Sequence, residues 1–161
     1  MTHSHMDIDA AELSTHAVGY GLRMPGKSRK VMSPVSAKAL NSVVALSSNV
    51  EDLLHFFSVQ NLGNQMLFAD SINREMQKPQ FRTVPNEWAL GFKLLQTGGL
   101  SYISHDGAYP GFITRSELNQ KHKLIIVVFT NAIDGPVTPL FNGISSIIEQ
   151  LLNNPHQVAI L

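Results

Sequence analysis

The chain has 161 residues, 43% of them hydrophobic and 15% charged, the composition of an ordinary globular chain long enough to bury a core. Twelve Lys plus Arg balance twelve Asp plus Glu, which excludes an overall field for holding nucleic acid or an anionic membrane. The absence of cysteine excludes disulfides, thiolate catalysis and Cys-ligated zinc, and leaves the compartment open.

Residues 1–41 carry scattered apolar residues with Gly19, Gly21, Pro25, Gly26 and Pro34, and no sustained period, which predicts an irregular wrapping segment. A helical part follows over 47–78. Its first helix starts at Ser47-Ser48-Asn49-Val50-Glu51, where Ser48 and Glu51 have capping-box spacing; Val50, Leu53, Leu54 and Phe57 form its stripe, and it stops near Asn61-Leu62-Gly63. A second, shorter helix is expected around Ala69–Lys78, ended by Pro79.

Over 87–131 the pattern changes to strands: Glu87–Leu95, Leu100–His105, Phe112–Asn119 and Lys123–Thr130. The short connections at Thr97-Gly98-Gly99, Tyr109-Pro110-Gly111 and Asn119–His122 predict an antiparallel meander. A closing helix over 137–152 places Leu140, Phe141, Ile144, Ile147, Ile148 and Leu151 on one broad face laid across the sheet. The order is that of an α+β fold, an antiparallel sheet with flanking helices, in a single partial domain spanning 1–161. Leu124–Phe129 is apolar at every position, as in a strand covered on both faces and paired on both edges. Yet it is the last strand, so a partner strand is expected to be missing.

No apolar run approaches the ~20 residues of a membrane helix, and no signal-peptide pattern opens the chain. Localisation is left unknown, because an upstream part could carry a signal. His3-Ser4-His5-Met6-Asp7 is similar to the His-x-His-x-Asp of metallo-hydrolases, but no apolar strand precedes it and no second cluster follows. The expectation is a solvated tail with no metal, and no cofactor is expected elsewhere.

Ile103-Ser104-His105-Asp106-Gly107-Ala108-Tyr109-Pro110-Gly111-Phe112, followed by Val127-Val128-Phe129-Thr130-Asn131, resembles the third active-site motif of the serine β-lactamase-related hydrolases. Trp88–Phe92 resembles the aromatic strand before that motif, and Ser47–Leu53 the family's Ser-Thr-x-x-Asp-Leu helix start. Ala17–Tyr20 resembles the family's Ala-x-Gly-Tyr turn, and Met1–Ser4 the Gly-Met-Thr-x-Thr segment that follows its second motif. The resemblance runs from residue 1 to about Leu152 and implies the C-terminal part of a β-lactamase/transpeptidase-like fold. In that family the last strand of the sheet pairs with the first, N-terminal strand, so the resemblance places the missing neighbour of Leu124–Phe129 in an absent N-terminal part.

The resemblance also implies roles. His105 would be a cation or hydrogen-bond donor beside the nucleophile, Gly107 would let substrate approach the strand, and the Ala108 N–H would be one oxyanion-hole donor. Asp106 stands where Gly or Thr is common in the family, which implies a bias against anionic groups near the cleft. The family's Ser-x-x-Lys nucleophile and Tyr-x-Asn partner are not in the chain: none of the seven lysines has a serine three positions before it, and no tyrosine is followed by x-Asn. Ser47-Ser48-Asn49 and Ser71-Ile72-Asn73 spell Ser-x-Asn, but the first lies in a helix start, where capping is expected, and the second in a short helix. The complete protein is thus expected to hydrolyse an ester, amide or β-lactam through an acyl-enzyme, and this chain alone to be inactive. The alternative is a non-catalytic binding module that uses the cleft strand or the last strand. Expected partners are the missing N-terminal part, or a second copy joined through the last strand.

Overall fold

The computed structural model describes residues 1–7, 13–44, 46–83, 86–97 and 100–153. The two glycines of the predicted turn at Thr97-Gly98-Gly99 lie outside them. Strand β1 (His5–Met6) pairs antiparallel with β2 (Leu46–Ser47). The helices are α1 (Asn41–Val44), α2 (Val50–Val59), α3 (Asp70–Met76) and α4 (Val137–Asn153). The six strands β3 (Phe81–Thr83), β4 (Asn86–Trp88), β5 (Lys93–Thr97), β6 (Leu100–Tyr109), β7 (Phe112–Asn119) and β8 (Leu124–Thr130) make one antiparallel sheet in sequence order. The α+β expectation holds.

The differences from the sequence reading are local. Helix α2 is capped by Asn49, whose Oδ1 accepts the Asp52 N–H at 2.8 Å, and not by Ser48. The Ser48 hydroxyl is engaged with Ser4 Oγ at 2.7 Å, so it is drawn to the chain start. Of the expected stripe Phe57 is buried but Val50 and Leu54 are exposed, and Val59 joins Phe57 in the buried face. The single strand expected over Glu87–Leu95 is broken in two, because the chain reverses at Ala89–Phe92, where the Ala89 N–H bonds the Phe92 carbonyl and Gly91 takes φ +78°. Lys123, at φ +52°, belongs to the turn before β8 rather than to the strand.

The chain start is not a loose tail. The His3 N–H and the Ser4 hydroxyl donate to Asp52 at 2.8 and 2.7 Å, and His5 pairs with Ser47. Burial pushes the Asp52 carboxyl up, but the Ser4 and His3 donors outweigh it, and the net effect holds it below the usual range.

Helix α2 covers one face of the sheet. Phe57 meets Phe92, Ile103 and Leu118, with Phe56, Met76, Ala89, Leu94 and Ile125 around them. Each such burial stabilises by about 1.5–3 kcal/mol, so this cluster fixes α2 against β5–β8. Helix α4 covers the other face over β7 and β8, with Phe141 under the Arg115 guanidinium at 4.5 Å. Its packing corrects the broad face expected from sequence: Val137, Phe141 and Ser145 are buried, whereas Leu140, Ile144 and Ile147 are 48%, 38% and 59% exposed. The apolar arc is wider than the strip of helix that a sheet can cover.

The wrapping segment caps one end of the sheet. The Tyr20 N–H reaches the Asn131 carbonyl at 2.9 Å, and its own carbonyl accepts from Ile133. Gly111 has φ +89°, and a Cβ there would stand 2.6 Å from Gly19 Cα, so both glycines are required for this approach. Strand β8 ends the sheet. Among the described residues, no backbone hydrogen bond reaches the outer edge of Leu124–Thr130.

Candidate active-site strand

Strand β6 is twice as long as its neighbour on one side. It pairs with β5 only over Leu100–Ser104, and with β7 over Ile103–Tyr109. The edge of His105–Tyr109 that faces away from β7 therefore has no strand on it among the described residues. This places the three predicted site residues, His105, Gly107 and Ala108, on one open strand edge.

Alternation divides their side chains between two faces. Ile103 belongs to the core under α2, so His105 and Gly107 lie on the α2 face, opposite Ser116 and Thr114. His105 is exposed there, and Ser116 is buried. A Cβ on Gly107 would stand 2.6 Å from Thr114 Oγ1, which gives that glycine a cross-strand reason that needs no substrate.

Asp106 is on the α4 face, opposite to that of His105. It stands opposite Arg115, with Nε 3.7 Å from its carboxylate. An open depression of about 350 Å³ lies on that face, lined by Asp106, Ala108, Ile113, Arg115, Val137 and Thr138 together with Gly107 and Thr114. Arg115 also donates through Nε and Nη2 to Glu117 at 3.0 and 2.7 Å. Burial pushes the Glu117 carboxyl up, and the Arg115 contact offsets only part of it. The sequence reading missed this triad, although Arg115 and Glu117 at spacing two on a strand share a face. Ser71 and Asn73 lie in α3, where Asn73 is fully buried. Among the described residues no group of His, Cys, Asp or Glu is arranged to hold a metal ion.

No protein-family model and no curated protein matches the chain by sequence. Solved structures do match. Among them are the penicillin binding protein from Bacillus halodurans, with TM-score 0.65 at 18% identity over 81% of this chain and 40% of that one, and the class C beta lactamase from Rhodobacter sphaeroides, with TM-score 0.67 at 13% identity over 91% and 50%. A beta-lactamase/D-alanine carboxypeptidase from Pseudomonas syringae matches over 99% of this chain and 50% of its own, with TM-score 0.65 at 12% identity. The fold is the β-lactamase/transpeptidase-like one. The chain spans half or less of the length of these structures. No helix among the described residues is long and apolar enough to cross a membrane.

Proposed function

We propose that the chain is the C-terminal portion of a β-lactamase-related serine hydrolase, and that it supplies one wall of an acyl-transfer site. The observation that carries this reading is the open edge of β6 at His105–Tyr109, in a sheet with this fold. In the complete protein a serine from a Ser-x-x-Lys segment attacks an ester, amide or β-lactam carbonyl, and the acyl-enzyme is then hydrolysed.

His105, exposed beside that edge, orients substrate or relays a proton. Ala108 supplies an oxyanion donor. A two-residue turn closes on a hydrogen-bonded pair, here Tyr109 and Phe112, so alternation turns the N–H of Ala108 away from β7 and towards the open edge. One such donor lowers the barrier by about 3 kcal/mol, whereas the nucleophile is indispensable to the acyl-enzyme route. The chain by itself is therefore inactive.

The test is labelling by a serine-reactive acylating probe. The chain alone is expected to remain unlabelled. Co-expressed with a polypeptide that is encoded upstream of Met1 and carries Ser-x-x-Lys and Tyr-x-Asn, it should yield a complex labelled on the added serine and impaired by His105→Ala. Labelling of the isolated chain, or a complex indifferent to His105→Ala, would overturn the reading.

A further inference from the structure

Four amide side chains from three segments meet at the end of the sheet opposite Gly111. Gln60 closes α2, and its carbonyl accepts from Gln77 Nε2, at the end of α3, and from Gln120 Nε2, in the turn before β8, each at 2.8 Å. Gln120 Nε2 also donates to Gln77 Oε1 at 2.7 Å. Asn73 lies one turn before Gln77, so the two share a face of α3. Met76 beside it packs on the Phe57 cluster, which directs Asn73 inward, towards the last turn of α2. Asn73 is 0% exposed and Gln60 1%. Yet Gln60 Oε1, Asn61 Oδ1 and both amide atoms of Asn73 have no hydrogen-bond partner among the described residues.

Folded proteins satisfy such groups, since an enclosed amide without a partner is strongly disfavoured. A segment packed on the outside of α2 and α3 cannot supply the bonds, because these atoms present almost no surface to it. Their partner is enclosed with them. We propose that the cluster is a binding site for internal water, which accepts from Asn73 Nδ2 and donates to Gln60 Oε1 and Asn73 Oδ1, and so bridges α3 to α2. The chemistry selects this ligand. An amide N–H2 beside amide carbonyls calls for a molecule that both donates and accepts. A halide only accepts, and a bare cation would face the N–H2 and bring an unbalanced charge among neutral amides. Water satisfies two to four such groups at once. The bridge holds a weak element in place: α3 has seven residues and no side-chain bond at its N-cap, too little to keep its shape alone, so the contacts of Asn73 and Gln77 dock it. The site depends on enclosed atoms alone, and stands whether or not the hydrolase reading does.

Two measurements on the full chain test the site. In water-selected NMR the Asn73 side-chain N–H2 should show cross-relaxation with water, of the sign that long-lived, enclosed molecules give. Oxygen-17 relaxation dispersion should show that Asn73→Leu, with unchanged circular dichroism, loses at least one enclosed water, and that Gln96→Leu, at an exposed amide, loses none. Should Asn73→Leu fail to fold, the cross-relaxation in the parent decides. An Asn73 N–H2 without water contact, or an unchanged count in folded Asn73→Leu, would overturn the proposal. So would a thermal midpoint that rises with potassium or ammonium over choline at equal ionic strength and loses that dependence in Asn73→Leu, which would assign the cluster to a cation.

Discussion

Ser4 donates its hydroxyl to Asp52 at 2.7 Å, and so ties the start of the chain to the first turn of α2. Asp52 also receives the His3 N–H, and Ser4 Oγ contacts Ser48, so four residues from two distant segments share one knot. The irregular lead is held at its start, here, and midway along it, at Tyr20.

The first prediction concerns that carboxylate. The folded pKa of Asp52 lies below its ordinary value, so the folded state favours the ionised form. Its stabilisation is complete above the ordinary carboxylate value and is lost as pH falls through the folded one. Asp52→Asn should lower the thermal midpoint near neutral pH, and the gap to the parent should shrink in strong acid. A gap that ignores pH would mean that the carboxylate charge is not what holds the chain start.

Arg115 and Glu117 behave in the opposite sense. Burial raises the folded pKa of Glu117, so its ionisation weakens the fold as pH rises from the ordinary carboxylate value through the folded one. Arg115 limits that loss. Arg115→Leu leaves a carboxylate that is 4% exposed with no guanidinium, and should cost about 3–5 kcal/mol near neutral pH. The cost should fall in acid, where Glu117 is neutral. Chemical denaturation at two pH values measures both; an equal cost at the two would contradict the role given to the Glu117 charge.

Much of this sheet was legible in the sequence because its turns are marked by residues with few conformational options. Pro110-Gly111 sets the start of β7 at Phe112, and the apolar run from Leu124 fixes β8, whereas β6 runs on to Tyr109, four residues past the His105 at which the sequence pattern ends it. The Ala89–Phe92 reversal was hidden, since Trp88-Ala89-Leu90-Gly91-Phe92 is apolar throughout and only the positive φ of Gly91 breaks it. The side on which a residue lies was harder still. Asp106 adjoins His105 in sequence and therefore takes the other face of β6. Composition cannot say which part of the arc on α4 the sheet covers; that depends on where Phe141 meets Arg115.

The close approach of Gly111 to Gly19 gives a third prediction. In Gly111→Ala the new Cβ would meet backbone at 2.6 Å, at a φ that costs a non-glycine residue about 1–2 kcal/mol before any collision. The chain can relieve it only by moving the wrapping segment. The variant should keep the β6–β8 pairing but expose the Gly19–Met32 stretch to limited proteolysis much faster than the parent. Cleavage at the parental rate would show that the Tyr20 bridge does not depend on this contact.

The last prediction separates the backbone of Ala108 from its side chain. If the Ala108 N–H faces the open edge of β6, it bonds no neighbouring strand, and proline can replace alanine there without removing a bond of the β6–β7 ladder. Ala108→Pro should then unfold within a few degrees of the parent, while Gly107→Pro, whose N–H the same alternation turns towards β7, should be severely destabilised. In the reconstituted hydrolase Ala108→Pro should slow acylation about 10²–10³-fold, the usual effect of one lost oxyanion donor. Ala108→Val keeps the N–H and should retain most of the rate. If Ala108→Pro collapses the sheet as Gly107→Pro does, the Ala108 N–H belongs to the ladder, and the oxyanion role must pass to another group. If it folds normally and the rate is unchanged, the open edge of β6 is not where the developing charge sits.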